Sequence, residues 1–553
     1  MKKLSALLAL GLLTYSMNEC LFAQSFSQQS FLQYDDYESE DDDDDFAIDM
    51  DLNELDLDVV DTQNMPTRGA TRSVDDIYLF FSIIADKPAF QNGLLNTPVY
   101  QQTSIIRNRP ILEYPFTLTY GFDIKDNSSV SLTPFLNMSS HKNFTKTSQT
   151  LDSYFLLGNP AKITALEYID SLELTKPIAE NLAKSLALFD PAIVQERRLG
   201  GVLESRVSLE HWSLFAQLPI LYTERNLYLT PVQKAAIAIS PIGGMLKSDG
   251  VSENDFVYQH IVMDQVGLGD FKFKAMYQAH SSDIFSLDLG GFIIVPTATA
   301  FAQGIVGVWF DANNDRGYLD LTKITPGNLT TENKDAITNF FLDAIDTLSS
   351  NILNCPLGNN GHVVFAPSMN FDWYFAQNWQ WSNDFSLQVA LPATEQRFYQ
   401  LTQTENQFLT SYNNAYNAGP DTFGTFVNQQ IQNTFFPFVF PTQVYPGVVF
   451  NSTNQLGYHL ATTDIYFGAN FWYQGAEQLK MLANANNNNQ DFSYNYPGAG
   501  AASAAQEKLF ARINYTIETD RCQWSLSGYG DATVWNSGIG NDFTVGLSID
   551  CKF

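Results

Sequence analysis

The C-terminal stretch of the chain, residues 541–553, alternates strictly between apolar and polar side chains. Successive side chains of an extended strand point to opposite faces, so this pattern places every apolar residue of the stretch on one face. That face consists of Phe543, Val545, Leu547, Ile549, Cys551 and Phe553. The pattern predicts a β-strand. Because a soluble sheet with one buried face gives the same alternation, the period alone does not say what covers the apolar face.

The same two-residue period returns along the chain near residues 116–124, 271–278, 285–293, 385–391 and 465–473. With its flanking residues each run has about nine to eleven positions, the length that a tilted strand needs to cross a hydrocarbon layer. Short turns alternate with long segments between the runs, as in antiparallel up-and-down barrels. The chain is therefore predicted to be all-β, a transmembrane β-barrel of about twelve to fourteen strands. Imperfect alternation over Asp76–Leu112 and Val202–Tyr222 leaves the count open.

Four long segments separate the predicted strands, at about Lys142–Gly200, Asn313–Gly361, Thr394–Asn454 and Gln474–Ala504. In two of them apolar residues recur every three to four positions. This spacing predicts short helices over Ala161–Arg198 and Asp335–Ile352, packed on an outer loop or inside the barrel.

The N-terminus predicts export from the cytoplasm. Lys2 and Lys3 precede an apolar run from Leu4 to Leu13, and the residues up to Ala23 form a plausible cleavage site for a signal peptide, residues 1–23. No later stretch reaches the roughly 18 uninterrupted apolar residues that a spanning helix needs. A secreted chain of this kind is either released or inserted as a barrel.

Residues 24–75 predict a disordered acidic arm on the periplasmic side. Asp35–Asp61 contains 15 acidic residues and no lysine or arginine, about half of the excess behind the formal net charge of −30. Like charges repel too strongly for such a segment to fold alone. A calcium-binding or partner-docking arm is the alternative to a merely solvated one, since clustered carboxylates are hard oxygen ligands. The barrel is predicted to occupy residues 76–553.

Two features resemble bacterial outer-membrane β-barrel proteins. The last strand ends on Phe553 behind a secretory signal, which is similar to the closing strand of those barrels, and the resemblance implies recognition by the barrel-assembly machinery. The strand opening Val266–Phe271 (VGLGDF), with strand exits at Pro219, Pro296 and Pro392, resembles the long-chain fatty-acid and aromatic-hydrocarbon outer-membrane transporters. This resemblance implies passage of small, possibly hydrophobic solutes. The acidic arm stands where those transporters carry N-terminal hatch helices.

Six charged residues fall on the polar side of predicted strands and are therefore candidates to line a lumen. They are Arg206, Glu210, Lys272, Lys274, Asp288 and Arg512. Inside a barrel such groups set ion preference, because a ring of charge biases what passes. On a soluble sandwich they would form an ordinary solvated face.

The cysteines predict at most one disulfide. If the last hairpin turns between Asn536 and Ser537, Cys522 lies opposite Cys551 on the same face. Facing residues across an antiparallel ladder are close enough for a strained but feasible bond.

Signatures of enzymes and of metal sites are scarce. The serine-hydrolase, zinc-protease and phosphate-loop motifs are absent from the sequence, and its six histidines are scattered. Asp311–Gly317 resembles a calcium loop, but its glycine is one position late and Thr322 stands where a glutamate is required. We expect no enzymatic activity, no cofactor and no bound metal, with a spatially assembled outer-membrane phospholipase as a minor alternative. The acidic balance argues against nucleic acid as a partner.

The sequence thus predicts an outer-membrane channel or porin-like protein for passive passage of small solutes. Its expected partners are outer-membrane lipid, the barrel-assembly machinery, small solutes and possibly further copies of itself. The alternatives are a non-conducting structural or adhesive surface barrel and a secreted soluble β-rich binding protein.

Overall fold

A computed structural model describes residues 107–114, 128–142, 193–232, 234–235, 262–298, 353–399, 401–402, 405–419, 422, 438–482, 493–494, 496–519 and 523–553. The predicted signal peptide, the acidic arm, the strand at 116–124, the calcium-like loop and the helix over Asp335–Ile352 lie outside these residues.

The described chain is almost entirely β-structure. In chain order its strands are β1 (Ser128–His141), β2 (Ile193–Leu209), β3 (Trp212–Tyr228), β4 (Val262–Leu268), β5 (Phe271–Ser281), β6 (Phe285–Val295), β7 (Val364–Ala376), β8 (Trp379–Ala390), β9 (Ala393–Tyr399), β10 (Leu401–Thr402), β11 (Phe438–Tyr445), β12 (Val449–His459), β13 (Thr463–Gln474), β14 (Gln478–Met481), β15 (Ser493–Tyr494), β16 (Ala504–Glu518), β17 (Gln523–Ser537) and β18 (Asn541–Lys552). The helices are a 3₁₀ turn (Ile111–Glu113), α1 (Glu405–Ala418) and α2 (Tyr496–Ala499).

Twelve antiparallel strands close into a barrel. Their order is β2, β1, β18, β17, β16, β13, β12, β8, β7, β6, β5 and β3, and the pairing of β3 with β2 completes the ring. The first and last strands of the described chain, β1 and β18, are neighbours, and Phe553 donates its N–H to the Ser128 carbonyl at 2.9 Å and accepts from the Ser128 N–H at 3.2 Å. The predicted closed antiparallel barrel is therefore confirmed, at the lower end of the predicted strand count.

The barrel is polar inside and apolar outside, the reverse of a soluble sheet protein. On β18, Thr544 is 0% exposed and Leu547 is 61% exposed, and along β1 the buried Ser131 alternates with Leu132, 51% exposed. The apolar faces identified in the sequence therefore point away from the interior. A continuous apolar exterior around a polar interior fits lipid and not water, which identifies the wall as membrane-spanning.

β4 and β5 together form a single strand of the wall. Both pair with β3, and the register shifts by one residue between them, at Gly269 and Asp270. Pro219 lies opposite this break and has no N–H to donate, which explains why ladder pairing stops there. The glycine-rich stretch at 266–271 was predicted to open a strand, but it interrupts one. Likewise Pro219 lies inside β3, whereas Pro296 directly follows β6 and Pro392 lies two residues after the end of β8.

β2 and β3 correct another prediction. They form a regular hairpin of two seventeen-residue strands over the stretch whose alternation is imperfect, and Arg198 lies in β2, so the predicted helix does not extend through it. The physical reason is that Val202 and Leu221 point inward, where they pack on apolar residues inside the barrel. Apolar side chains on both faces remove the two-residue period.

Two of the long segments, Thr394–Asn454 and Gln474–Ala504, contribute the strands of a second sheet at the end of the barrel. β9 pairs with β11, and β11 pairs with β14. These strands continue β8, β12 and β13, and the residue pairing keeps the same register across the interruptions. We call this three-stranded sheet the upper sheet. It replaces much of the irregular structure predicted for Thr394–Asn454, which also contains α1.

Among the described helices, none has the length and apolarity that crossing a membrane would require.

The apolar exterior predicts that the cost of placing a charge on the outer surface depends on its depth in the membrane. Leu547→Arg, in the middle of β18, is expected to destabilise the folded barrel in bilayers by about 2–4 kcal/mol, because the guanidinium must enter hydrocarbon. Ile517→Arg, at the short-turn end of β16, serves as the matched control and should cost about 0–1 kcal/mol. Urea unfolding in liposomes measures both. Equal effects at the two depths would contradict a membrane-spanning wall.

Candidate functional site

A segment of the chain itself lies inside the barrel. Residues Arg107–Tyr114, here called the lumen segment, precede the first wall strand and run through the interior with a single 3₁₀ turn at Ile111–Glu113. The segment makes no ladder with the wall. Its position is set by side chains, and its contacts lie toward the end of the barrel that carries the long segments.

Two arginines anchor the first half of the lumen segment. Arg107 donates to the carbonyl oxygens of Ala502 (3.0 Å) and Gly475 (2.9 Å), and it approaches Glu477 Oε1 at 3.5 Å. Arg109 donates to Asn470 and, at 3.3 Å, to Gln506 Oε1. A fork of fixed donors can bind several acceptors at once, which suits a short segment without secondary structure of its own.

The second half of the segment is held by the opposite wall and by apolar packing. The Arg109 carbonyl accepts from Arg198 at 2.6 Å, and the Leu112 carbonyl accepts from Lys272 Nζ at 3.4 Å. Tyr114 donates to Asp542 Oδ2 at 2.8 Å. The segment's apolar side chains form one buried cluster with wall residues, comprising Ile111, Leu112, Tyr114, Phe135, Val202, Leu221 and Leu357. The segment therefore occupies part of the interior at this level.

Five groups of alternating charge connect the lumen segment to the upper sheet. Arg107 contacts Glu477, which accepts from Arg397 Nη2 at 3.1 Å. Arg397 also contacts Glu395 at 3.1 Å, and Glu395 accepts from His362 at 2.8 Å. We call these five residues the ionic chain. Burial alone would raise the pKa of Glu477, but the neighbouring Arg397 and Arg107 outweigh it and lower this pKa below its usual value.

His362, at the end of the ionic chain, is held in its charged form. Its Nδ1 stands 2.7 Å from the Leu391 carbonyl oxygen, and its Nε2 stands 2.8 Å from Glu395 Oε1. Both partners are acceptors, so both ring nitrogens must donate, which requires the imidazolium. Burial alone would lower the pKa of His362, but the hydrogen bonds to Glu395 and to the carbonyl outweigh it and raise this pKa.

Five of the six candidate lumen residues face the interior. Arg206, Lys272, Lys274, Asp288 and Arg512 are all at most 9% exposed and alternate with exposed apolar neighbours. Lys274 contacts Asp384 at 3.1 Å, and Arg512 donates to Asn514 at 2.7 Å. Glu210 is different. It lies in the tight turn between β2 and β3 with its side chain 90% exposed, outside the lumen.

The structure changes the register on which the predicted disulfide depends. The last hairpin turns at Gly538–Gly540, where Gly538 and Gly540 have φ of 75° and 97°, and Cys551 pairs with Trp524. The predicted pairing is therefore displaced by two residues. Cys522 lies outside the described residues, and the disulfide stays a prediction, as does the assembly role of Phe553.

The lumen segment was missed because eight residues carry no measurable period. Its signal lies in composition, since Arg107 and Arg109 directly precede the apolar residues Pro110–Leu112. The ionic chain could not be predicted either, because its members come from four separate parts of the sequence.

Comparisons with known proteins give a fold likeness without a family. No family model matches the chain, and no curated protein matches it. Among solved structures, an outer membrane channel from Pseudomonas putida F1 is 9% identical, covers 79% of this chain and 100% of its own, and has a TM-score of 0.38. The toluene transporter TodX of Pseudomonas putida is 7% identical over 77% of this chain and 89% of its own, at 0.29. The NanC porin is 5% identical over 64% and 92%, at 0.24.

These solved structures belong to outer-membrane channels and transporters. At such scores the likeness carries no argument about solute or mechanism. The closed strand order and the apolar exterior of the chain itself identify its wall as a membrane-spanning β-barrel.

The geometry of His362 predicts a pH dependence. Its raised pKa means that the protonated form is favoured by folding, so the stabilisation is fully present below about pH 6.5 and is lost as pH rises through the raised value. Asp270, Glu395 and Glu477 all lie near enough to favour the charged ring. We expect the urea midpoint of the barrel in liposomes to fall as pH rises above about 6.5.

His362→Gln should flatten this part of the profile, because glutamine cannot donate to both acceptors as a cation. The exposed His280→Gln is the matched control and should leave the profile unchanged. A wild-type profile that His362→Gln does not alter would contradict the assignment.

Proposed function

We propose that this protein is an outer-membrane channel for passive passage of small solutes, and that the lumen segment closes the channel in the state described. Export by the predicted signal peptide would deliver it to that membrane. The observation that carries the proposal is a polar interior occupied by a short segment that, among the described residues, is anchored to the wall by side chains and forms no backbone ladder with it.

The character of these contacts supports a movable closure. Strands of the wall are joined by continuous backbone ladders, which do not open singly. The lumen segment instead depends on a few charged hydrogen bonds, chiefly from Arg107, Arg109 and Arg198. Such bonds each contribute about 1.5–3 kcal/mol, a range in which a modest perturbation shifts the balance between closed and open forms.

The interior also supports passage of polar or charged solutes once the segment moves. Below the segment, inward-facing groups of both signs include Arg206, Asp288, Arg512 and Asp550. Water and ions are accommodated by such a lining, and its balance of charge would set ion preference.

A closed structural barrel is the rival function, favoured by the density of ion pairs inside. Lys508, for example, is 0% exposed and contacts Asp531 at 2.9 Å and Asp542 at 3.0 Å. Conductance separates the two functions.

The double variant Arg107→Ala, Arg109→Ala tests the channel. It removes both anchors of the first half of the lumen segment, so the open form should be populated more often. Recording in planar bilayers is expected to show rare openings of the wild type and severalfold higher time-averaged current through the variant.

The matched control is Arg197→Ala, which removes an exposed arginine from the outer face of β2 and should leave the current unchanged. Heat-dependent migration on denaturing gels verifies that each protein is folded. Folded wild type and double variant that both fail to conduct would overturn the channel proposal in favour of a closed barrel.

A further inference from the structure

A cavity of about 170 Å³ lies between the lumen segment and the wall below the upper sheet. One side is lined by Pro110 and Ile111 of the segment, and the other by Leu357, Val364 and Trp472. An engineered cavity of roughly 150 Å³ with comparable apolar lining holds one benzene molecule. The volume therefore suits a compact organic body of one ring or a short branched chain.

Hydrogen-bond donors without partners point to a ligand that accepts. Among the described residues that line the cavity, five buried donor atoms have no hydrogen-bond partner: Gln388 Nε2, Trp472 Nε1, Arg397 Nε, Arg109 Nε and Asn108 Nδ2. Among the same lining residues, only two buried acceptor atoms lack a hydrogen-bond partner, namely Glu113 Oε1 and Asn354 Oδ1. Buried polar groups in native proteins are normally satisfied, so an excess of donors indicates a missing acceptor.

The donors are deeply placed. Trp472 is 0% exposed, Arg397 is 3% exposed and Gln388 is 4% exposed, so bulk water does not satisfy them. They also approach from different elements, since Gln388 lies near the end of β8, Arg397 lies in β9 and Trp472 lies in β13. An acceptor inside the cavity would therefore be contacted from more than one side.

The charges that line the cavity further restrict the class of ligand that it would bind. Five cationic groups line the cavity, namely Arg107, Arg109, Arg198, Arg397 and the protonated His362. The carboxylates that line it are Glu113, Glu395 and Glu477. The lining residues alone carry an excess of two positive charges, and the pairing of Arg198 with Glu196 at 2.8 Å, outside the lining, leaves an excess of one. This remaining positive charge favours an anion over a cation.

We propose that this cavity binds a small organic monocarboxylate whose apolar part is a single ring or a short branched chain. A carboxylate offers acceptors only and matches the donor excess, while its apolar part occupies the side of the cavity formed by Ile111, Leu357 and Val364. This assignment deepens the proposed function, because it names the class of solute that the channel would admit.

Two other classes fit less well. A hydrocarbon of equal size would leave all five donors unsatisfied, and an inorganic anion such as phosphate would leave the apolar side uncovered. The combination of both features selects the organic acid.

Benzoate is the probe. Toluene has the same ring without the carboxylate, and benzylamine has the same ring with a positive charge, so these two compounds are the comparators. Isothermal titration of the purified full-length protein in detergent is expected to show benzoate binding about tenfold or more tighter than either comparator. Trp472→Phe and Gln388→Met each remove one donor while keeping most of the side-chain volume, and each should weaken benzoate binding about tenfold.

Matched controls are Trp381→Phe, on the lipid-facing side of β8, and Gln523→Met, near the short turn before β17, and neither should change binding. Heat-dependent migration checks the fold, and two independent variants keep the test valid if one misfolds. Absence of benzoate binding, equal binding of toluene, or indifference to both cavity variants would overturn the proposal, with water alone filling the cavity.

Titration measures benzoate binding without transport, so the channel proposal and the carboxylate-site proposal can be contradicted independently of each other. Conductance without benzoate binding would remove the carboxylate site and leave the channel. Benzoate binding to a barrel that never conducts would remove the channel and leave the site.

Discussion

The structure depends on one constraint, that backbone N–H and C=O groups surrounded by hydrocarbon must pair within the protein. A sheet meets this requirement only by closing, which the ladders of β1 with β18 and of β2 with β3 accomplish. Even the break between β4 and β5 respects it. There the Gly269 N–H donates to the Pro219 carbonyl at 2.8 Å, and Thr297 Oγ1 donates to the Gly269 carbonyl and accepts from the Phe271 N–H, each at 2.9 Å.

Because the barrel is closed and its exterior is apolar, the polar side chains of its strands face the interior. Charges gathered there need partners, because an isolated buried charge is far costlier than a paired one. Glu196 accordingly meets Lys142 at 3.1 Å, Arg198 at 2.8 Å and Arg225 at 2.6 Å. The lumen segment enters this network as a further partner, since Arg198 also donates to its backbone. The alternation of apolar and polar residues along the strands thus makes the interior polar, and the polar interior in turn binds the lumen segment.

The sequence was informative wherever one face of a strand meets lipid and the other meets polar groups. The strand at 541–553 is the clearest case, and Arg206, Lys272, Lys274, Asp288 and Arg512 are buried on the polar faces of their strands. It was misleading where the interior is apolar, as at Val202 and Leu221, because local alternation cannot anticipate what a distant segment brings into contact. Glu210 was misassigned by a related cause, since a two-residue turn continues the strand pattern through a residue that belongs to neither strand. The cavity and the ionic chain arise only from folding.

The upper sheet keeps the register of the barrel across three interruptions, and two of these interruptions touch. A Cβ placed on Gly447 would overlap the backbone of Gly475, whose N–H donates to the Val448 carbonyl at 3.0 Å. On this side the barrel wall and the upper sheet therefore share one strand register, and the interruptions at Gly447 and Gly475 lie next to each other. Because the register is the same on both sides of the interruptions, the upper sheet can change in length or sequence without altering the shear of the membrane-spanning part. Diversification of the outer rim is in this way separated from the geometry on which insertion depends.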